Sequence, residues 1–111
     1  MEPNYIFTES DSMPWQPSEM ADGVEVKSLG TVNGRAMELY RFAPNTTYPG
    51  HFHEGPEFVY VLEGEATQNG QHLGPGWASA AETGTLDKDF RSGSGGCTFL
   101  TVYSASRYLD Q

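Results

Sequence analysis

The sequence predicts an all-β domain, a barrel of seven to nine short antiparallel strands. Three observations carry the prediction. Thirteen Gly and seven Pro cut the 111 residues into short segments, a spacing typical of sandwiches and barrels. No stretch keeps a helical apolar period, because Pro or Gly interrupts nearly every candidate. The two strongest apolar runs, residues 58–62 (FVYVL) and 97–103 (CTFLTVY), are rich in β-branched and aromatic side chains, which fit a pleated surface.

The elements follow in order. Residues 5–8 form a short strand candidate. Residues 24–29 alternate imperfectly, and residues 36–42 (AMELYRF) alternate Met37 and Leu39 against Glu38 and Tyr40. Asn33-Gly34 between them is a strong hairpin signal. The segment APNTTYPG (43–50) reads as a loop. After the strand at 58–62, Glu63-Gly64 reads as a turn and 65–68 as its return strand. Asn69-Gly70 is a second hairpin signal, Pro75-Gly76 a further turn, and residues 77–80 a weak strand. The polar, Gly-rich stretch 81–96 reads mostly as loop. There is no repeat and no linker, so residues 1–111 are read as one domain.

Charge and composition exclude several functions. Fifteen Asp and Glu against six Lys and Arg give a formal charge of -9. Nucleic acid and anionic membranes both require clustered basic residues. Here Lys27, Arg35, Arg41, Lys88, Arg91 and Arg107 are scattered. No apolar run approaches the roughly 20 residues that span a bilayer, and the N-terminus lacks the basic and apolar regions of a signal peptide. The single cysteine, Cys97, fits a reducing compartment, so a soluble, cytoplasmic protein is expected. Cys97 opens a strong strand and reads as core filler.

The histidines carry the chemistry. His51 and His53 are two residues apart. On a strand, side chains at that spacing share a face with Cα atoms about 7 Å apart, close enough to converge on one metal ion. Neutral imidazole is a common ligand for transition metals. Gly55-Pro56 marks a bend, after which Glu57 opens the apolar strand. A carboxylate there is costly to bury without a cation beside it.

The stretch PGHFHEGPEFVYVLEGEA resembles the first cupin motif: Gly50, then His51 and His53, three intervening residues, Glu57, six intervening residues and Gly64. The closer resemblance is to ChrR-like cupins, through Trp15, Pro17, Gly23, Val24, Lys27, Leu29 and an Arg-bearing strand with Arg41. It covers residues 15–103. That group includes the cupin domains of zinc-binding anti-sigma factors and small metal-dependent dioxygenases that cleave diketones. The resemblance implies a jelly-roll-like cupin barrel, a divalent metal, a small-molecule ligand and a homodimer.

The second cupin motif departs from the pattern. The family's fourth ligand is a His in a strand after a Pro-x-Gly-like turn. No His follows Pro75-Gly76, and the spacing lands on Asp87, thirty residues after Glu57. Three readings stay open: Asp87 as an oxygen ligand, His72 as the fourth ligand, or a site of His51, His53 and Glu57 alone. The last is the two-His-one-carboxylate pattern of non-haem iron oxygenases. Asp87 hardens the donor set and favours iron, manganese or zinc. The expected function is a small metal-dependent oxygenase-like enzyme acting on an oxygen-rich molecule, or else a ligand or redox sensor built on the same barrel. Arg41 and Tyr60 are candidate substrate-binding residues, with a rim salt bridge as the plainer role of Arg41. Tyr40 and Phe42 are candidate pocket residues.

Overall fold

The computed structural model describes residues 2–105, with residues 51 and 52 described by their backbone alone. Residues 5–8, expected as a strand, have no ladder partner. They form an arm tied down by Thr8 Oγ1 donating to Leu29 O at 3.0 Å. One 3-10 turn follows at Ser10–Ser12, capped by the Glu9 carboxylate, which accepts from Ser12 N.

The strands are β1 (Gln16–Pro17), β2 (Val24–Val32), β3 (Arg35–Phe42), β4 (Thr47–Tyr48), β5 (His51–Phe52), β6 (Glu57–Gln68), β7 (Gln71–Leu73), β8 (Ala78–Ala81), β9 (Leu86–Asp87) and β10 (Phe90–Ser104). Both predicted hairpins form. Asn33 and Gly34 have φ of 51° and 76°, and Asn69 and Gly70 of 49° and 84°, the positive values a type I′ turn requires. Eight strands form one sheet in the order β1-β2-β3-β10-β6-β7, with β4 beside β10 and β8 beside β6. β5 and β9 pair separately. Among the described residues the ladder is not continuous around the circumference, so the expected antiparallel barrel is present with an open seam. It wraps around one core, which unites Val24 of β2 with Val59, Val61, Leu73, Phe90 and Phe99.

Two local expectations are corrected. Glu63-Gly64 is not a turn, because β6 runs through it and bulges there: Thr98 faces Glu63 while Phe99 faces Val61. Gly64 is required by close approach. Its φ is +74°, and a Cβ would lie 2.1 Å from Gly96 O. Residues 81–96 are likewise not mostly loop. They contain β9 and the first part of β10, whose glycines absorb a register break between Ser92 and Cys97.

The register decides which face is inside. Tyr40, Phe99 and Val61 form one inward row, and Glu38, Thr101 and Val59 the next. Leu39, Leu100 and Tyr60 form an outward row, as do Met37, Val102 and Phe58. Phe42 anchors the interior, its ring 5.3 Å from Phe90, 5.5 Å from Phe99 and 5.8 Å from Tyr48. Such ring pairs add about 0.5–1.5 kcal/mol each beyond area burial.

Candidate metal centre

β5, β6 and β9 bring three donors together. His53 follows β5, and its backbone N–H donates to Thr85 O (3.0 Å) while its carbonyl accepts from Gly84 N (2.8 Å). These bonds lock His53 beside the strand that carries Asp87. Gly50 permits the approach: a Cβ there would sit 3.1 Å from both Asp87 O and Lys88 O. Glu57 opens β6 after the bend at Gly55, which is itself packed so closely that a Cβ would meet Ser104 Cβ at 2.3 Å.

One ligand atom each from His53, Glu57 and Asp87 lies within 4.8 Å of the others. His53 Nδ1 is 3.3 Å from Glu57 Oε1. His53 and Asp87 are 7% and 6% exposed. Asp87 Oδ2 accepts a long bond from Gln68 Nε2 (3.4 Å), and Gln68 Oε1 accepts from Ser79 Oγ (2.7 Å). Asp87 Oδ1 and Thr101 Oγ1 are the buried side-chain polar atoms without a hydrogen-bond partner among the described residues.

The cluster lines a cavity of about 420 Å³. Phe42, Phe90 and Phe99 supply apolar wall, and Tyr40, Tyr48 and Tyr103 supply hydroxyls. Among the described residues no Lys or Arg lines it. A buried carboxylate with one unpaired oxygen and no nearby ammonium or guanidinium is expensive. A divalent ion held by His53, Glu57 and Asp87 removes that cost, so the donor set fits such a metal.

Of the two candidates for a further ligand, Asp87 lies in the cluster and His72 does not. His72 is exposed, with Nε2 3.2 Å from Glu65 Oε2. The His51 side chain lies outside the described residues, while its backbone is paired directly opposite Asp87. Arg41 and Tyr60 stand on the outer face, away from this cavity. Arg41 Nη2 bonds Glu25 Oε1 at 2.7 Å, the rim salt bridge, and Tyr60 is 47% exposed. They point outward because inward parity in β3 and β6 falls on Tyr40 and on Val59 and Val61. Tyr40 and Phe42 line the cavity as expected.

Sequence reasoning missed Gln68 and the Glu38–Tyr40 pair. The bulge at Glu63 flips parity along β6, so the inward set changes from 57, 59 and 61 to 66 and 68. Nothing in the local pattern marks that flip. Tyr40 Oη donates to Glu38 Oε1 at 3.0 Å. Burial, followed by the Glu38 charge, pushes the Tyr40 phenol far above its ordinary range, so it stays a protonated donor. Burial raises Tyr48 as well. Cys97 is 3% exposed, and burial, with a smaller contribution from Glu65, pushes its thiol up to about 11. It is an inert core residue, as expected.

Comparison with known proteins agrees with this architecture. No curated protein matches the sequence significantly. A candidate acetylacetone dioxygenase from Methylibium petroleiphilum PM1 superposes with a TM-score of 0.86 at 12% identity, over 94% of this chain and 79% of that one. The polyketide cyclase RemF from Streptomyces resistomycificus gives 0.80 at 23% identity, over 92% and 80%. A chain of the complex of Rhodobacter sphaeroides SigE with the anti-sigma ChrR gives 0.75 at 21% identity, over 86% of this chain and 52% of that one. Likeness at these identities establishes the shared cupin fold. The sequence profile described as the ChrR cupin-like domain matches residues 3–107, and the chain therefore belongs to the ChrR cupin-like domain family.

Proposed function

We propose that the chain is a small non-haem metal-dependent enzyme of the oxygenase type, acting on a compact oxygen-rich molecule. His51, His53, Glu57 and Asp87 would hold one divalent iron, manganese or zinc ion. The observation that carries the reading is the convergence of His53, Glu57 and buried Asp87 in an aromatic-lined cavity. The register of His51 opposite Asp87 supports its inclusion. The bound ion would supply Lewis acidity toward substrate oxygens and, if iron, the electrons for oxygen chemistry.

The chain's own residues supply the rest. Gln68, bonded to Ser79, donates a long hydrogen bond to the Asp87 carboxylate. Phe42, Phe90 and Phe99 keep water from the inner wall. Tyr40 donates its proton to Glu38 and also bonds the Tyr48 hydroxyl, which fixes both phenols at the cavity wall. Anaerobic loading with Fe(II), then oxygen uptake across diketones, quinols and keto acids, tests the proposal. Substrate-dependent uptake lost in Asp87→Asn supports it, and none from fully loaded protein counts against it.

A second reading is a ligand or redox sensor without turnover. The paired carboxylates favour it, since two anions neutralise a divalent ion and weaken its Lewis acidity. Saturable ligand binding to metal-loaded protein without product formation distinguishes this reading.

A further inference from the structure

The cavity around His53, Glu57 and Asp87 has a one-sided charge. Among the described residues its lining includes the carboxylates of Glu54, Glu57 and Asp87 and no Lys or Arg. Four basic residues are engaged elsewhere. Arg41 is paired with Glu25 at 2.7 Å on the outer face. Lys27 Nζ donates to Ser10 O at 2.7 Å, Arg91 Nη1 to Thr47 Oγ1 at 2.8 Å and Arg35 Nη1 to Ser104 Oγ at 3.4 Å. A divalent ion brings the centre only to neutrality, because the Glu57 and Asp87 carboxylates cancel its two charges. Exposed Glu54 then leaves the lining net negative, and Glu38 stands against Tyr40.

Much of the remaining wall is aromatic. Tyr40, Phe42, Tyr48, Phe90 and Phe99 form one cluster, with neighbouring ring centroids 5.0 to 6.3 Å apart. The inward row of Val61, Phe99 and Tyr40 lies four residues along β6 from Glu57, a span of about 13 Å. Two of the phenols are already engaged, Tyr40 with Glu38 and Tyr48 with Tyr40 and Ser18. Beyond the metal donors this wall therefore offers a ligand mainly ring faces.

We propose that the cavity selects its ligand by charge. It takes flat molecules that are uncharged in water and offer two neighbouring oxygens to the ion, and it rejects the same skeletons once they carry a carboxylate or a sulfonate. The four proposed protein donors leave two positions of an octahedral ion open, and an adjacent pair of oxygens fills them. The body of the ligand then lies on the rings. An added anionic group would leave water for a wall with no cation to meet it, and it would face Glu54 as a like charge. The inference rests on the metal-centre reading above and adds the substrate class to it.

Titration calorimetry of the full chain, loaded with Mn(II) and kept free of oxygen, reads binding without turnover. The probes are two matched pairs: catechol against 3,4-dihydroxybenzoate, and 2,3-dihydroxynaphthalene against its 6-sulfonate. The uncharged member of each pair should bind at least about tenfold more tightly. Met20→Arg places a cation at an exposed lining position. It should narrow that gap at least about threefold by tightening the charged member, with native circular dichroism. Glu54→Gln reads the same charge if Met20→Arg fails to fold. Mn(II)-loaded wild type that binds the charged members as tightly, or binds neither member, overturns the inference and leaves the metal centre standing. A gap that the variant leaves unchanged also overturns it. Wild type that takes up no Mn(II) overturns the metal-centre reading itself, and the inference with it.

Discussion

Asp87→Asn separates a metal centre from ordinary packing, because the two roles give opposite signs. Without an ion, the Asp87 and Glu57 carboxylates sit within 4.8 Å. Like charges at that separation repel by about 3 kcal/mol at an effective dielectric of about 20. His53 beside Glu57 and the partial exposure of Glu57 reduce this to roughly 1–2 kcal/mol. Asparagine is nearly isosteric, removes the repulsion, and keeps an oxygen for the Gln68 amide. The metal-free variant should therefore melt higher than metal-free wild type, by about 5–10 °C for a domain of this size. With metal present the order should invert. An ion at a hundredfold excess over its dissociation constant stabilises wild type by about 2.7 kcal/mol, and the variant, lacking an anionic ligand, gains far less. Differential scanning fluorimetry of chelated and Mn(II)- or Zn(II)-saturated samples reads both effects. If Asp87→Asn lowers the melting temperature of the chelated protein and responds to metal as wild type does, Asp87 is a packing residue and the reasoning fails.

Gln68→Ala should keep the fold yet weaken metal binding about 10–100-fold, the usual effect of removing a partner of a ligating carboxylate; titration calorimetry measures it. Gly64→Ala should cost about 3 kcal/mol or more, since φ of +74° and Gly96 O at 2.1 Å leave no room for a Cβ; a denaturant melt by circular dichroism shows whether it does. Alkaline pH should also destabilise the fold. Folding raises the Cys97 thiol from 9.0 to about 11, so above pH 9 the unfolded chain holds fewer protons than the native one and stability falls with pH. The Cys97 contribution approaches about 2 kcal/mol by pH 11. Above pH 10 the unfolded forms of Tyr40 and Tyr48, both raised by folding, steepen the loss. Cys97→Ala should remove the part that begins near pH 9, as denaturant midpoints across that range would reveal.

The sheet was legible where side chains carry the pattern. The runs at 58–62 and 97–103 are the central ladder, and Asn33-Gly34 and Asn69-Gly70 turn where their backbone chemistry requires. The stretch 81–96 was not legible, because β9 and the start of β10 are held by partner strands rather than by their own composition. Glu63-Gly64 misled for a related reason: a glycine needed for a bulge and a close carbonyl looks the same in sequence as one needed for a turn. At the site, spacing pointed to His51, His53 and Glu57, the resemblance added Asp87 as one of three open readings, and chemistry offered His72, which in the structure lies outside the cluster of His53, Glu57 and Asp87. Gln68 stayed hidden behind the parity flip of the bulge. Arg41 and Tyr60 were named for their chemistry, and their outward direction depends on a register that sequence does not supply.

Metal content of untagged protein by mass spectrometry tests the central claim most directly, with His53→Ala and Asp87→Asn alongside. The account predicts about one iron, manganese or zinc ion per chain in wild type, and substantial loss in both variants while circular dichroism stays native. Wild type that holds no ion even after anaerobic reloading, or variants that retain a full complement, would contradict it.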